Sequence, residues 1–277
     1  MLCSDLELKR DRTGDEKMKI AELFDELKSI ASCFSPDETC DTYKSGNSEN
    51  EISKVALSMF ATPEIIRKCR DNGVNFLIVH EPTFYNHFDK EIANQIGYEK
   101  KKLIDDVGLT IVRFHDYAHN ADPDLISLGM LKYMKLPGRV NLDKKITGTD
   151  EVILDTPMTS VELAKTIEDN LNIKHIKIAG NTDKKGTRIA CCFGTPGGVA
   201  DKLNSYDFVL TGEICEWCAG EIVRDYSQLG YTKAILVTGH IGSERAGMMY
   251  IADILKEKHP EINIEYYECG ELYSYTD

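Results

Sequence analysis

Hydrophobic and polar residues follow two recognisable patterns along the chain. In MKIAELFDELKSIAS, apolar residues recur at helical spacing and predict an amphipathic helix. These residues are Ile20, Leu23, Phe24, Leu27 and Ile30. Elsewhere, short apolar runs are bounded by turn-forming residues, as expected of buried strands. The polar segment 1–17 shows neither pattern and is predicted to be an N-terminal tail.

The first half of the chain alternates between predicted strands and helices. Strands are predicted at 52–60, 75–80 and 108–115, and helices at 62–73, 90–107 and 123–134, with a polar loop at 35–50. The first of these helices has typical boundary residues, with Thr62 as N-cap, Pro63 in the first helical position and Gly73 at the end. The alternation predicts a parallel sheet with crossover helices.

After a polar connector at 136–150, the second half repeats this rhythm. Helices are predicted at 160–172, 195–204 (after a glycine-rich turn), 215–230 and 243–260, and strands at 175–180, 187–194, 206–213, 232–240 and 263–269. We therefore predict an α/β protein of two βαβ-based lobes with mixed or mostly parallel sheets. The first lobe is expected to span residues 18–135 and the second 136–277. C-terminal segments are expected to complete the metal site whose candidate ligands are given below.

Composition and charge argue against several classes of function. The 277 residues, 42% of them hydrophobic, are enough to bury a sizeable core. No apolar run approaches the roughly 18 residues of a membrane span, and no secretory signal is recognisable. The net charge of -13 and the lack of a basic stripe argue against direct nucleic-acid binding. We expect a cytoplasmic protein with neither a membrane nor a nucleic-acid partner.

The nine cysteines are an odd number in a chain too large to need disulfides, which is typical of free thiols in a reducing compartment. Cys215 and Cys218 form a CxxC, which is compatible with a redox pair. No second CxxC is present to complete a structural zinc site. We expect these two thiols to line a helix and face the core.

Histidines and carboxylates gather at the predicted ends of apolar strands. His80-Glu81 follows NFLIV, His115-Asp116 and then His119 follow LTIVRF, Glu213 follows FVLTG, and His240 follows AILVTG with Glu244 four residues later. The carboxyl ends of parallel strands share one edge of a sheet, so these side chains can converge. The spacing of His240 and Glu244 places both on one face of a helical turn. Imidazole and carboxylate ligands suit Zn, Mn or Fe(II), and carboxylates can bridge two metal ions.

Three other motifs are candidates for ligand binding or catalysis. FGTPGGVADKL can cradle an anion or nucleotide, but it lacks both the Lys-Ser/Thr of a P-loop and the GxGxxG spacing, so a tight turn is the simpler interpretation. Ser243 lacks G-x-S-x-G flanks and is predicted to be a helix N-cap rather than a nucleophile. HEPTFYNH lacks the paired histidines, four residues apart, of the metalloprotease helix.

The stretch FVLTGEICEWCAGEIVRDYSQLGYTKAILVTGHIGSE resembles the signature of the Nif-three-like dinuclear metal-binding family, often labelled GTP cyclohydrolase I type 2 homologs. The family pattern is TGE or TGD, a helix, a strand, then GH followed by Glu. MKIAELFDEL, the strand ending in His80 and the GTPGG turn occur in the matching order, so the resemblance covers roughly Met18 to the C-terminus. It implies two α/β lobes enclosing a cleft with two adjacent divalent metal ions, and a ring-like homohexamer.

Carried over position by position, the resemblance implies five metal ligands. These are His80, Glu81, His119, His240 and Glu244. The family's first motif is often His-His-Pro, so Glu81 stands here in place of a histidine. The second motif usually has an Asp four residues after a His; counted from His115, that position is His119, and Asp116 is the alternative bridging carboxylate. The third motif matches without change.

These residues favour a metal-dependent hydrolase in which a metal-activated water attacks a small-molecule substrate such as a nucleotide or phosphoester. Glu213 or His115, if unliganded, would act as general base or orient the substrate. The alternative is a non-catalytic metal-binding scaffold or regulatory protein, and a third option is a nucleotide-binding regulator that uses the GTPGG turn. The surplus of ionisable side chains beyond the needs of two metals favours catalysis. The sequence leaves Zn, Mn and Fe open as the metal.

Overall fold

The structure is a computed structural model that describes residues 17–142 and 149–276. The predicted N-terminal tail therefore lies outside the described residues except for its last position, as does part of the predicted connector at 136–150. Within the described ranges, no helix has both the length and the apolar character needed to cross a membrane.

The elements follow the predicted alternation of strands and helices. In the first half they are α1 (Ile20–Ser29), β1 (Tyr43–Ser45), β2 (Val55–Ser58), α2 (Pro63–Asp71), β3 (Phe76–Val79), α3 (Gln95–Val107), β4 (Thr110–Arg113), α4 (Asp116–Asn120) and α5 (Leu125–Met134). In the second half they are β5 (Gly138–Asn141), β6 (Asp150–Thr159), α6 (Ser160–Leu171), β7 (Lys177–Gly180), β8 (Lys185–Cys192), α7 (Val199–Lys202), β9 (Phe208–Thr211), α8 (Glu221–Gln228), β10 (Ala234–Val237), α9 (His240–Lys258) and β11 (Ile264–Tyr266). A π-helical turn, Glu216–Gly220, precedes α8.

Local sequence signals explain several boundaries, and the structure corrects others. The hydroxyl oxygen of Thr62 accepts from the backbone N–H of Ile65 at 3.2 Å, so the predicted N-cap of α2 is confirmed. The helix predicted at 90–107 begins later, because the side chain of Asn94 caps α3. The N-cap prediction for Ser243 is wrong, since α9 already begins at His240 and Ser243 is buried inside it.

The first sheet has the described strand order β1-β4-β3-β2-β11. Strands β11, β2, β3 and β4 are parallel, and β1 adds an antiparallel edge within the segment predicted to be a loop. Because β3 and β4 run in the same direction, the residues that follow them emerge at one edge of the sheet. The last strand of the chain, β11, joins this sheet rather than the strands that precede it in sequence.

The second sheet has the described order β5-β6-β8-β9-β10-β7. Strands β8, β9 and β10 are parallel, whereas β5, β6 and β7 pair antiparallel with their neighbours. With one antiparallel edge in the first sheet and several antiparallel pairs in the second, the predicted α/β class with mixed sheets is confirmed. The boundary expected between residues 135 and 136 stays a prediction.

Helices α5 and α9 connect the cores that line the two sheets. Ile126 of α5 and Ile251 of α9 belong to the core of the first sheet, whereas Met130 and Ala246 belong to that of the second. Helix α9 carries the predicted site residues His240 and Glu244 at its N-terminal end, and α5 directly follows the segment that carries His119. The packing of these two helices therefore sets the distance between site residues contributed by the two sheets.

Candidate metal centre

His80 follows β3 directly, and its side chain is fully buried. Its Nδ1 lies 3.1 Å from the carbonyl oxygen of Phe114, so Nδ1 carries the proton and Nε2 carries a lone pair. Nε2 is buried and makes no hydrogen bond with the described residues. Burial lowers the pKa of His80 to about 3, which keeps the ring neutral near neutral pH. A buried neutral imidazole with an unused lone pair is suited to bind a metal ion.

The position of α4 is fixed by Asp41, which lies in the loop before β1. The carboxylate of Asp41 accepts hydrogen bonds from the backbone N–H groups of His115, Asp116 and Tyr117, at 2.7, 3.1 and 2.9 Å. These bonds satisfy donors that have no partner within the first turn of a helix. The helix is thereby held so that the rings of His115 and His80 lie with centroids 4.7 Å apart.

His119, also on α4, is oriented by Asp124. Its Nδ1 lies 2.9 Å from Asp124 Oδ2, while Asp124 Oδ1 accepts from the backbone N–H of Ser127 as the N-cap of α5. The carboxylate places the proton on Nδ1 and directs Nε2 toward Glu244, whose Oε1 is 3.7 Å away. Pairs of this kind commonly support histidine ligands of metals.

His240 and Glu244 lie together on the first turn of α9, as their spacing predicted. His240 Nε2 is 3.1 Å from Glu244 Oε2 and 2.6 Å from Glu81 Oε1. Its other nitrogen, Nδ1, is 2.7 Å from Oε1 of Glu213. Burial by itself would lower the pKa of His240, but the contacts with Glu244 and Glu81 outweigh it and raise the pKa to about 11. The carboxylates thus stabilise a positive charge at this place, as a cation site does.

Glu81 is buried and faces His240, and Arg113 contacts both the Glu81 carboxylate and the backbone of His80. Arg113 donates through Nε to the carbonyl oxygen of His80 at 2.8 Å, and its Nη2 lies 3.4 Å from Glu81 Oε2. Burial by itself would raise the pKa of Glu81, but the hydrogen bond with His240 and the neighbouring positive charges hold the pKa well below its usual range. Glu81 is therefore an ionised carboxylate and can serve as an oxygen ligand.

The glycine-rich turn after β8 packs against this cluster. At Gly194, where φ is +71°, an added Cβ would lie 2.3 Å from Glu244 Oε1. The backbone N–H of Gly194 donates to Ser243 Oγ at 2.9 Å, and Ser243 Oγ donates in turn to the carbonyl oxygen of His240 at 2.8 Å. The first residue of the turn therefore helps to position the start of α9, and only glycine leaves room for the Glu244 carboxylate.

The donor atoms fit a divalent metal centre. The ligand atoms of His80, His115 and His119 lie within 4.8 Å of one another, and so do those of His80, Glu81 and Glu244. His80 Nε2 is buried without a hydrogen bond to the described residues, although such atoms are normally paired. A mixed set of imidazole and carboxylate donors suits Zn, Mn or Fe(II). The predicted residues thus form a group that could hold metal ions.

Asp116 lies at the edge of this group. Its Oδ2 accepts from Thr39 Oγ1 at 2.7 Å and from the backbone N–H of Cys40 at 3.0 Å, while its Oδ1 is 2.9 Å from His115 Nδ1. Together with His87 and Cys40, it forms a third set of closely spaced donor atoms. Of the two alternatives carried by the second motif, His119 faces Glu244 and Asp116 orients His115.

Two cavities meet at the cluster. The smaller, of about 520 Å³, is lined by Glu81, His115, His119, His240 and Glu244 among others. The larger, of about 1280 Å³, shares Glu81 and His240 and extends past Glu213 to Lys100 and Tyr273. A small molecule can therefore reach the cluster from a space large enough to hold it.

The sequence analysis missed the residues that support the predicted ligands, and it wrongly predicted that the CxxC motif faces the core. Asp41, Asp124 and Arg113 contact the predicted ligands but lie outside the motifs; the one available signal was Asp124, placed as an N-cap before the apolar helix. The expectation that Cys215 and Cys218 face the core is wrong, because both are exposed.

Comparisons connect the chain to known proteins. The family model described as Duf34/NIF3 (NGG1p interacting factor 3) matches residues 18–270. The GTP cyclohydrolase 1 type 2 homolog of Clostridium perfringens is 23% identical over 227 residues, which cover 77% of this chain and 81% of that protein. Staphylococcus aureus protein SA1388 has a TM-score of 0.73 at 19% identity, covering 94% of this chain and 100% of that one. The Bacillus cereus protein related to NIF3 has a TM-score of 0.72 at 13% identity, covering 95% of this chain and 100% of its own.

Proposed function

The chain belongs to the Duf34/NIF3 family, which its motifs resemble, and from this premise we propose that it is a divalent-metal-dependent hydrolase of a small molecule. The observation that carries the proposal is the meeting of His115, His119, His240 and two glutamates at a cavity, beside the buried His80, whose Nε2 makes no hydrogen bond with the described residues. The name of the Clostridium perfringens relative contains the word cyclohydrolase, which agrees with hydrolysis as the reaction class.

Glu244 is the best candidate for a carboxylate shared by two metal ions. Its Oε1 faces His119 Nε2 at 3.7 Å, and its Oε2 faces His80 Nε2 at 3.6 Å. Glu81 and His240 would complete the donor set, with His240 releasing to the incoming cation the proton that its carboxylate neighbours hold in the absence of metal. When bound, divalent ions would lower the pKa of a coordinated water and polarise a substrate oxygen.

Glu213 and His115 are the groups that we assign to proton transfer and substrate orientation. Glu213 lines the larger cavity with a half-exposed carboxylate, so it can accept a proton from an attacking water. His115 lines the smaller cavity and is oriented by Asp116. Substituting His115 tells a ligand from a base, because loss of a ligand lowers metal content and loss of a base lowers kcat alone.

The proposal is tested by measuring metal uptake before any substrate is sought. The purified chain is incubated with Zn, Mn or Fe(II), freed of excess metal and analysed for its elements, beside Glu244→Gln and His240→Ala. Glu244→Gln keeps the shape of the side chain while removing its charge. His259→Gln is the matched control, since His259 follows the far end of α9, about 28 Å along the helix.

We expect two metal equivalents in the wild type and in His259→Gln, and a loss of at least one in both site variants. A screen of phosphoesters, cyclic amides and nucleotides with the loaded protein then tests hydrolysis. Failure of the wild type to take up any of the three metals would overturn the proposal. Metal uptake without turnover of any substrate class would instead favour a metal-binding scaffold.

A further inference from the structure

The exposed pair Cys215 and Cys218 is not used by the metal centre. Most other described cysteines are inaccessible: Cys40, Cys69, Cys191 and Cys192 are buried. Burial also raises the pKa of Cys69 to about 12. A thiol with so high a pKa stays protonated and unreactive near neutral pH. The reactive thiol chemistry of the described chain therefore concentrates at its exposed cysteines.

The backbone holds Cys215 and Cys218 close together. The carbonyl oxygen of Cys215 accepts from the backbone N–H of Cys218 at 3.2 Å and from that of Gly220 at 3.3 Å. A turn closed by such a bond between residues three apart keeps its end Cα atoms within about 7 Å. Disulfides join Cα atoms that are usually about 4.4–6.8 Å apart. The turn thus presents two thiols at a separation that a disulfide can span.

The surroundings favour a disulfide over a metal at this pair. Within the described ranges, no group of three closely spaced histidine, cysteine or carboxylate donors includes Cys215 or Cys218. Structural zinc sites need four such ligands. The π-helical turn Glu216–Gly220 breaks the regular helix here, and such irregular turns occur frequently at functional sites.

We propose that Cys215 and Cys218 form a redox dithiol that becomes an intramolecular disulfide by exchange with a low-molecular-weight disulfide. One protein thiolate attacks a sulfur of the small disulfide, forms a mixed disulfide and releases one small thiol, which takes up the proton. The second protein thiolate then attacks the protein sulfur of the mixed disulfide and releases the second small thiol. Two protein thiols are oxidised, and one small disulfide is reduced to two thiols.

Trp217 provides a direct report of this reaction. It is the sole tryptophan of the chain and is 82% exposed, between the two cysteines. A disulfide next to an indole quenches its fluorescence by accepting an electron from the excited state. Loss of tryptophan emission therefore reports a disulfide beside Trp217, and the protein mass tells an intramolecular disulfide from a mixed one.

The experiment treats the full-length protein with hydroxyethyl disulfide, a neutral reagent, and follows protein mass, free thiols and Trp217 fluorescence. At the pair, the wild type should lose both thiols and retain no reagent, and its emission should fall; reagent retained at Cys33 is assigned by comparison with Cys33→Ser. Cys215→Ser and Cys218→Ser should each keep a stable mixed disulfide on the remaining cysteine. Cys33→Ser, which removes an exposed cysteine outside the pair, should behave like the wild type at the pair.

The decisive quantity is the lifetime of the mixed disulfide at the pair. Resolution within one molecule has an effective concentration in the millimolar range, so with submillimolar reagent we expect this lifetime to be at least about 10-fold shorter than at Cys33. Equal lifetimes at both places, or no reaction at Cys215 and Cys218, would overturn the proposal. These readouts do not depend on metal content, so their failure and failure of the hydrolase proposal are distinguishable.

Discussion

Asp124 combines two tasks in one side chain. Its Oδ2 contacts His119 Nδ1, and its Oδ1 caps α5 through the backbone N–H of Ser127. Asp41 acts similarly on α4, and Arg113 on the segment around His80. At the scale of single residues, the candidate metal centre thus depends on buried polar groups that fix the positions of its histidines.

Asp124→Asn should weaken metal binding without unfolding the protein. Asparagine remains a good N-cap for α5, but it lacks the negative charge that makes the His119 ring a stronger ligand. Removing such a support typically lowers metal affinity by about 10–100-fold. Competition with a chromophoric chelator measures the affinity, and urea unfolding of the metal-free protein checks stability. Unchanged affinity would show that Asp124 serves the helix alone.

At the scale of elements, α1 and the end of α9 are joined by a salt bridge. His259 Nε2 lies 3.0 Å from Glu26 Oε2, and Lys258 Nζ lies 3.4 Å from Glu26 Oε1. The hydrogen bond with Glu26 raises the pKa of His259, and the same bond lowers the pKa of Glu26. The contact therefore connects an early helix to a late one in a pH-dependent way.

His259→Gln should destabilise the protein at mildly acidic pH and much less at alkaline pH. Because the folded pKa of His259 is raised, its stabilisation is full below the ordinary value of 6.5 and is lost as the pH rises through the folded pKa. The lowered pKa of Glu26 makes its part present above 4.5 and lost as the pH falls through the folded value.

The difference in unfolding free energy between wild type and His259→Gln should therefore be largest between pH 4.5 and pH 6.5. It should reach up to about 1 kcal/mol, because the pair is partly exposed. Urea unfolding at several pH values measures this difference. Lys258→Met is the control, because it removes the other contact of Glu26 and leaves His259 in place; its cost should differ little between pH 5 and pH 8. A difference for His259→Gln that does not change with pH would contradict the assignment.

Elements that the sequence analysis missed owe their form to pairing. Strand β1 has only three residues and lies in a polar segment, but its backbone pairs with β4. Strand β6 includes Pro157, a residue disfavoured within sheets, and its pairing with β8 is irregular between Ile153 and Met158. In both cases, neighbouring strands stabilise a segment whose own pattern is weak.

At the scale of the whole molecule, the close crossing of α5 and α9 fixes the distance between the two sheets. A Cβ at Gly129 would lie 2.5 Å from the carbonyl oxygen of Ala246, and one at Gly247 would lie 2.5 Å from Ile126 Cα. These neighbours are backbone atoms and cannot turn aside. The two helices also carry Asp124 and Glu244 at or near their N-terminal ends, so their separation controls the geometry of the candidate metal centre.

Gly129→Ala should therefore lower both stability and metal affinity. Forcing a methyl group into this contact should cost about 1–3 kcal/mol of unfolding free energy. Gly220→Ala is the matched control, because its Cβ would meet only side-chain atoms at 3.8 Å and its backbone is helical, so stability should hold or rise slightly. Urea unfolding and metal titration measure both effects. Equal stability of the two variants would show that the crossing tolerates an extra methyl group.

The sequence by itself determined the α/β class and most helix and strand positions, because apolar periodicity and capping residues act within a few positions along the chain. It also identified the histidines and carboxylates at the strand ends, because parallel strands place their carboxyl ends together. Only the tertiary structure decided that β11 returns to the first sheet, that His119 rather than Asp116 faces Glu244, and that Asp41 holds α4. These outcomes depend on contacts between residues far apart in the chain, such as His115 and Asp41 at a separation of 74 positions, and no local pattern records them.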